Sequence, residues 1–289
     1  MDKQEIWFVI NPIAGGKKNS EQLQKSIESQ LDISIYSPKF FRTEYQGHAT
    51  QIACQALQKN IKFIVAVGGD GTVNEIAQVL RNTSSILGII PRGSGNGLAR
   101  DLGIPMSIRQ AIMKINNPIL KRIDTCFIND IPFFCTAGVG FDAHCAEKFS
   151  SSKNRGLLTY IRVVLNEIFQ YKPLTITLSS LSYEVLGITF ANTKQFGNNA
   201  MIAPLALNDD GLLDITIINK ASFWQILRLG IDLFNKNILK HPNVENYRAS
   251  SIAVELLSPA LIHFDGEPKQ LDDKNLFLKV EEKSLQVIV

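Results

Sequence analysis

Three short apolar runs, Ile6–Ile10, Phe63–Val67 and Ile86–Ile90, each give way to a loop crowded with Gly, Asn or Pro. A run of that kind with no polar interruption suits a strand buried on both faces, as in a parallel sheet covered by helices. Helical apolar spacing lies between the runs. Glu21–Leu31 carries Leu23, Ile27 and Leu31 on one side, and His48–Lys59 carries Ile52 and Ala56. Val73–Leu80 and a short stretch around Leu98–Leu102 read as two more helices, and Ile33–Tyr36 as a short strand. This alternation predicts an α/β N-terminal domain built on a doubly wound parallel sheet. Ligands of such sheets sit beyond the carboxyl ends of the strands, so the three loops should meet at one crevice.

From about Cys126 the texture changes to short β-rich runs: Phe133–Ala137, Leu174–Leu178, Tyr183–Asn192, Leu213–Ile218, Ser251–Leu257, Leu261–Phe264, Leu276–Val280 and Leu285–Val289. Two helices interrupt them. Gly156–Tyr171 places Leu157, Ile161, Val164, Leu165 and Ile168 on one stripe, and Ser222–Leu239 opens with Ser222 and Gln225 in capping-box spacing. Both stripes read as core, with a lipid-binding cleft or a membrane surface as the alternative, where Lys153, Arg155 and Lys240 would lie near a headgroup. The expected division is residues 1–122, to which a last strand 283–289 can return, and a β-rich sandwich domain at 123–282.

A chain of 289 residues with 45% hydrophobic and 20% charged residues can bury a sizeable core and is not a disordered one. Its net charge of +3 gives no argument for nucleic acid as a partner. Cys54, Cys126, Cys135 and Cys145 form no CxxC pair and read as scattered buried thiols of a reducing compartment, rather than as a metal cluster with His144. The start Met1–Ile10 lacks a basic segment and a cleavage-like site, and no apolar run approaches the ~18 residues of a spanning helix. A cytoplasmic protein that visits a membrane from one side is the expectation.

The loops carry the chemistry. Asn11-Pro12-Ile13-Ala14-Gly15-Gly16-Lys17-Lys18 allows close backbone approach and offers two lysines to phosphate, but position 11 is not the Gly a Walker loop requires. In Gly68-Gly69-Asp70-Gly71-Thr72-Val73-Asn74-Glu75, three glycines uncover backbone N–H groups at the start of a helix whose positive end suits an anion. Asp70 between them suits Mg2+ or a ribose hydroxyl, and Thr72 can cap the helix or donate to phosphate. Pro91-Arg92-Gly93-Ser94-Gly95-Asn96-Gly97 repeats the design with a serine. Arg92 and Arg100 flank it as phosphate ligands or solvated charges, and for Arg100 the solvated reading is preferred.

Together, Asn11–Gly15, Gly68–Thr72 and Gly93–Asn96 resemble the diacylglycerol kinase catalytic family, which includes bacterial soluble lipid kinases, sphingosine kinases and ceramide kinases. The Gly-Gly-Asp-Gly core is shared with NAD kinases and phosphofructokinases, so the second half decides. Ala137–Ala143, the Ala203–Asp214 segment with its Asp-Gly-Leu-Leu-Asp ending, and Asp265-Gly266-Glu267-Pro268 resemble the family's motifs in the family's order. The resemblance implies an NAD kinase-like first domain and a β-sandwich second domain.

By that resemblance Asn11, Pro12, Ile13, Ala14, Gly15, Thr43, Gly68, Gly69, Asp70, Gly71, Thr72, Val73, Asn74 and Ser94 line an ATP site. Glu267 is the general base with Asp265 in support, and Asp70 and Asp124 help to organise catalytic Mg2+. Leu207, Asp210 and Leu212 resemble a second cation site, and Asp209-Asp210-Gly211 is otherwise a turn. The activity implied is transfer of phosphate from ATP to a lipid hydroxyl, of diacylglycerol or a sphingoid base, in the cleft between the domains. A lipid substrate at the membrane surface is the expected partner, with peripheral membrane contact, and a homodimer is left open. An NAD kinase-like small-molecule kinase and a non-catalytic nucleotide- or lipid-binding regulator stand as alternatives.

Overall fold

A computed structural model describes residues 3–15, 20–152, 156–178 and 180–289. The chain divides into two compact units, residues 1–123 with 283–289, and residues 124–282.

The first unit alternates as its apolar pattern dictates: β1 (Gln4–Ile10), α1 (Ser20–Glu28), β2 (Tyr36–Arg42), α2 (His48–Gln58), β3 (Phe63–Gly68), α3 (Asp70–Leu80), β4 (Ile86–Pro91), α4 (Gly97–Asp101) and α5 (Ile108–Asn116). The strands pair in parallel in the order β2-β1-β3-β4, and the chain's C-terminal strand adds beyond β4 through Val287 opposite Leu87. Every residue of β3 and β4 is buried. The order reverses between β1 and β3, so the loops leaving those two strands open at a topological switch point, where such sheets bind ligands. The strand expected at Ile33–Tyr36 is instead a turn. The Asp32 carboxylate accepts the Ser34 N–H at 2.9 Å and the Ser34 hydroxyl at 2.5 Å, and pairing with β1 begins only at Tyr36. Pro38 inside β2 concealed it, yet β2 is an edge strand, where a missing N–H is tolerated.

The second unit is antiparallel. Its elements are β5 (Leu120–Ile128, entering from the first unit), β6 (Ile131–Phe133), β7 (Thr136–Gly140), α6 (Phe141–Ser150), α7 (Leu157–Glu167), β8 (Leu174–Leu178), β9 (Leu181–Ala191), β10 (Leu213–Asn219), α8 (Phe223–Phe234), a 3-10 turn (Ile238–Lys240), β11 (Val244–Ala249), β12 (Ser251–Leu256), β13 (Ala260–Phe264), β14 (Glu267–Leu271) and β15 (Asn275–Ile288). Along the sheet the order runs β14-β13-β7-β9-β8-β12-β15, and β9 also pairs with β10, which carries β11. Inward residues of these strands, among them Phe133, Val185, Phe190, Ile215 and Leu278, form one core.

Three expectations change here. The two strands expected at Leu276–Val280 and Leu285–Val289 are one continuous β15, which begins in the second unit and ends in the first. The helix expected over Ser222–Leu239 ends at Phe234, although its capping box is present as expected, with the Ser222 N–H donating to Gln225 Oε1 at 2.7 Å. The two apolar stripes part ways: no described side chain of α7 is fully buried, whereas the stripe expected over Ser222–Leu239 is core in part, with Leu229 and Ile238 buried in a cluster on which Leu233 and Leu239 pack, and Phe234 left exposed. The Leu157 side chain, Lys153 and Arg155 lie outside the described residues, as do Gly16, Lys17 and Lys18.

Candidate functional site

In the first unit the three loops are tied to one another by side chains that the motifs themselves supply. β1 ends at Ile10, and Asn11 donates its N–H to Val67 at the end of β3 at 3.0 Å. Its side chain then spans to the second loop, Nδ2 donating to Thr72 Oγ1 at 3.2 Å, while its Oδ1 accepts the Ile13 N–H at 3.1 Å. Thr43, just past β2, donates its N–H to Ile10 at 2.9 Å and so sits beside the first loop. The second and third loops are joined by Asp70. Its two carboxylate oxygens accept the N–H groups of Asn96 at 2.8 Å and Gly97 at 2.7 Å, which caps α4. Arg92 closes the ring by donating to the Ala14 carbonyl at 3.1 and 3.3 Å, and burial lowers its pKa from the usual arginine value. Arg100 is half-buried, and its Nε donates to the Gly95 carbonyl at 2.9 Å.

The glycines are required by contact. A Cβ on Gly93 would stand 2.6 Å from the Gly69 Cα and 2.9 Å from Asn96 Oδ1. Two loops can therefore cross backbone to backbone only if both positions lack side chains. With Gly69 at its N-cap, α3 has no side-chain cap among the described residues, so the N–H groups of its first turn are left for a ligand where the loops meet. These are the features a nucleotide phosphate needs, and the residues present fit it. Ser94 and Ile13 are exposed in their loops, and Asn74 pairs with Gln78. The Val73 side chain is buried and its N–H donates to the Gly69 carbonyl at 3.1 Å, so it supports the loop from within.

In the second unit the expected residues fall into two groups. Asp124 is fully buried. Its Oδ2 accepts the Gly211 N–H at 2.8 Å and its own N–H donates to the Asn208 carbonyl at 2.8 Å, so it anchors the loop expected to hold a second cation. In that loop Asp210 Oδ1 accepts the Leu212 N–H at 3.1 Å, and the Arg248 guanidinium pairs with Asp210 and with Asp214, the latter at 3.2 Å. The chain thus supplies its own positive charge where Leu207, Asp210 and Leu212 were expected to gather a cation. Burial raises the pKa of Asp214 against the lowering effect of Arg248.

The other group surrounds Glu267. Asp265, in a left-handed conformation at φ 51°, accepts three consecutive N–H groups, from Phe134 at 3.0 Å, Cys135 at 2.7 Å and Thr136 at 3.1 Å. It fixes the tight turn from β13 to β14 against the start of β7, and Glu267 opens β14 as an exposed carboxylate. Beside it the buried His263 ring meets Asp142 at 3.1 Å, and Asp142 also accepts the Thr189 hydroxyl at 2.9 Å. Sequence reading missed this trio: His263, Asp142 and Thr189 lie on three separate elements with no local pattern in common. It also missed Glu75, whose carboxylate accepts the N–H groups of Gly47 at 2.9 Å and Ala49 at 3.0 Å and caps α2.

Comparison with known proteins decides the family. The family model of the diacylglycerol kinase catalytic domain matches residues 5–128, and that of the YegS C-terminal NAD kinase beta sandwich-like domain matches residues 135–289. This chain belongs to the diacylglycerol kinase family. A diacylglycerol kinase of Mycobacterium tuberculosis is 31% identical over 232 residues, covering 76% of this chain and 74% of that protein. An uncharacterized Synechocystis protein is 33% identical over 287 residues and 90% of this chain, and the chain spans 65% of that protein's length. The crystal structure of a diacylglycerol kinase from Bacillus anthracis aligns with a TM-score of 0.71 at 21% identity, covering 100% of this chain and 97% of that one. At that identity it bears on the fold. The parallel α/β N-terminal domain and the β-sandwich C-terminal domain are the architecture of this family of lipid kinases.

Proposed function

We propose that this chain transfers the γ-phosphoryl group of ATP, taken as its Mg2+ complex, to the hydroxyl of a lipid. The observation that carries the reading is the ring of contacts Asn11–Thr72, Asp70–Asn96/Gly97 and Arg92–Ala14, which holds three Gly-rich loops around an uncapped helix N-terminus. Such an array of fixed N–H groups suits phosphate oxygens, and bound Mg2+ would neutralise charge on them.

Glu267 is the general base of this reading. As the lipid oxygen forms its bond to phosphorus, the bond from phosphorus to the bridging oxygen of ADP breaks, and the hydroxyl proton passes to the Glu267 carboxylate. Asp70 and Asp124 are positioning residues: the first locks two nucleotide loops together, and the second holds the 208–211 loop. The relatives named diacylglycerol kinase favour a diacylglycerol acceptor over a sphingoid base. Incubation of the purified chain with labelled ATP, Mg2+ and a panel of lipid acceptors in mixed micelles tests this. Labelled phospholipid is expected, and label on NAD with none on lipid would reverse it. Glu267→Gln should lower kcat by about 10²–10⁴-fold with little change in the KM for ATP.

A further inference from the structure

We infer that the stacked rings of Tyr45 and His48 form the platform on which the purine base of the nucleotide lies. This rests on the reading of the first unit as an ATP site and goes beyond it by naming the side chains that meet the base.

The loops that leave β1, β3 and β4 account for phosphate but not for a base. In a doubly wound sheet a bound nucleotide runs from the switch point towards the end of the neighbouring strand, where its ribose and base are met. Beside β1 that strand is β2, and the turn that leaves it is Thr43-Glu44-Tyr45-Gln46-Gly47-His48. The turn is pinned at both ends. Thr43 donates its N–H to the Ile10 carbonyl at 2.9 Å, next to the first loop, and the Gly47 N–H donates to Glu75 Oε1 at 2.9 Å. Glu75 stands about 7 Å along α3 from Asp70, at ~1.5 Å per residue, so the turn lies a short way from the helix end that suits phosphate.

Tyr45 is the exposed aromatic of this unit. Trp7, Phe8, Tyr36 and Phe63 are buried and Phe40 and Phe41 half-buried, whereas Tyr45 is 55% exposed. Its position is nevertheless fixed. The hydroxyl donates to Gln51 Oε1 at 2.8 Å, and the ring lies on the His48 imidazole with centroids 4.7 Å apart and planes 5° from parallel. His48 is held in turn, since its Nδ1 accepts the Glu44 N–H at 3.1 Å. With one face of the phenol covered by His48, the area left exposed is the opposite face and the rim. A ring anchored by its tip and backed by a second ring offers a flat apolar surface at little further cost in side-chain entropy, which is what a stacking base requires. One anchored ring is too small for a protein interface, and its place beside the phosphate loops selects a base.

The full chain in Mg2+ is titrated with ATP and, separately, with inorganic tripolyphosphate, which carries the phosphates without a base. Tyr45→Ala should weaken ATP binding roughly tenfold, on the order of the loss of one stacked base, and leave tripolyphosphate binding unchanged. Tyr45→Phe keeps the ring and should bind ATP nearly as the native chain does. Tyr45→Leu keeps apolar bulk on His48 without an aromatic face; it repeats the test where Tyr45→Ala does not fold, with the same selective loss expected. ATP affinity that survives loss of the ring overturns the platform. So does an equal loss of ATP and tripolyphosphate, which would make Tyr45 a support of the loops. Tripolyphosphate that does not bind the native chain removes the phosphate end from which the base is placed, and overturns it too. A selective loss of ATP in a chain that phosphorylates no lipid would sink the kinase reading and leave the platform standing. Lipid phosphorylation by Tyr45→Ala at the native KM for ATP would do the reverse.

Discussion

At the scale of single residues, the carboxylates that the motifs bring forward divide by what they hold. Asp70, Asp124 and Asp265 each accept backbone N–H groups and so shape loops, whereas Glu267 stands exposed at the head of a strand. Gly93 is as demanding as any of them. Gly93→Ala forces a methyl into the crossing with Gly69, an overpacking cost of about 1–3 kcal/mol. The two loops must then part, so the KM for ATP should rise together with a lower melting temperature; a normal KM would show that the crossing does not shape the site. Asp214 gives a pH signature. Its folded pKa is raised, so its contribution to stability is complete below the unfolded value near 3.8 and is lost as pH rises through the folded one. Relative to Asp214→Asn, the native chain should therefore lose stability as pH rises from about 3.8 through that raised value and then level off. Urea midpoints of both proteins measured across pH 3 to 7, roughly the carboxylate range, would show it.

At the scale of elements, helix ends are served by distant side chains rather than by neighbours. α2 has Gly47 at its N-cap and no cap of its own, and Glu75 from α3 accepts its N–H groups instead. Glu75→Ala should cost about 1–2 kcal/mol, read as an earlier denaturation midpoint with unchanged slope. α8 behaves in the opposite way, since its capping box is local and was visible as Ser222 and Gln225 in the sequence. The amphipathic stripes of α7 and α8 were equally visible, but periodicity records only that one face is apolar. What lies against that face is a tertiary fact: no described side chain of α7 is fully buried, while α8 packs Leu229 and Leu233 onto a core with Ile238 and leaves Trp224 and Ile231 exposed.

At the scale of the whole molecule, β15 ties the last residues of the chain to the first unit. Leu285 and Val287 are fully buried, and the Ile288 side chain lies near Gly88 of β4. Leu285→Ala or Val287→Ala should each destabilise the chain by about 2–4 kcal/mol through lost burial and the cavity left behind. Removing residues 283–289 should expose the β4 edge and yield aggregating protein, checked by size-exclusion chromatography and far-ultraviolet circular dichroism.

The sequence by itself determined the parallel sheet, the β-rich second half and the three Gly-rich loops, because each rests on a local rule of periodicity, chain turning or backbone clearance. The resemblance to the family also singled out Glu267, Asp70 and Asp124. Only the tertiary structure showed which N–H groups the two aspartates accept, because an acceptor's partner is whichever backbone folding brings within about 3 Å. For the same reason Asp142, Thr189 and His263, far apart in the chain, were invisible as a group. Tertiary packing likewise left the face of α7 outside the core and divided that of α8, since burial depends on what the rest of the chain covers and not on the stripe itself.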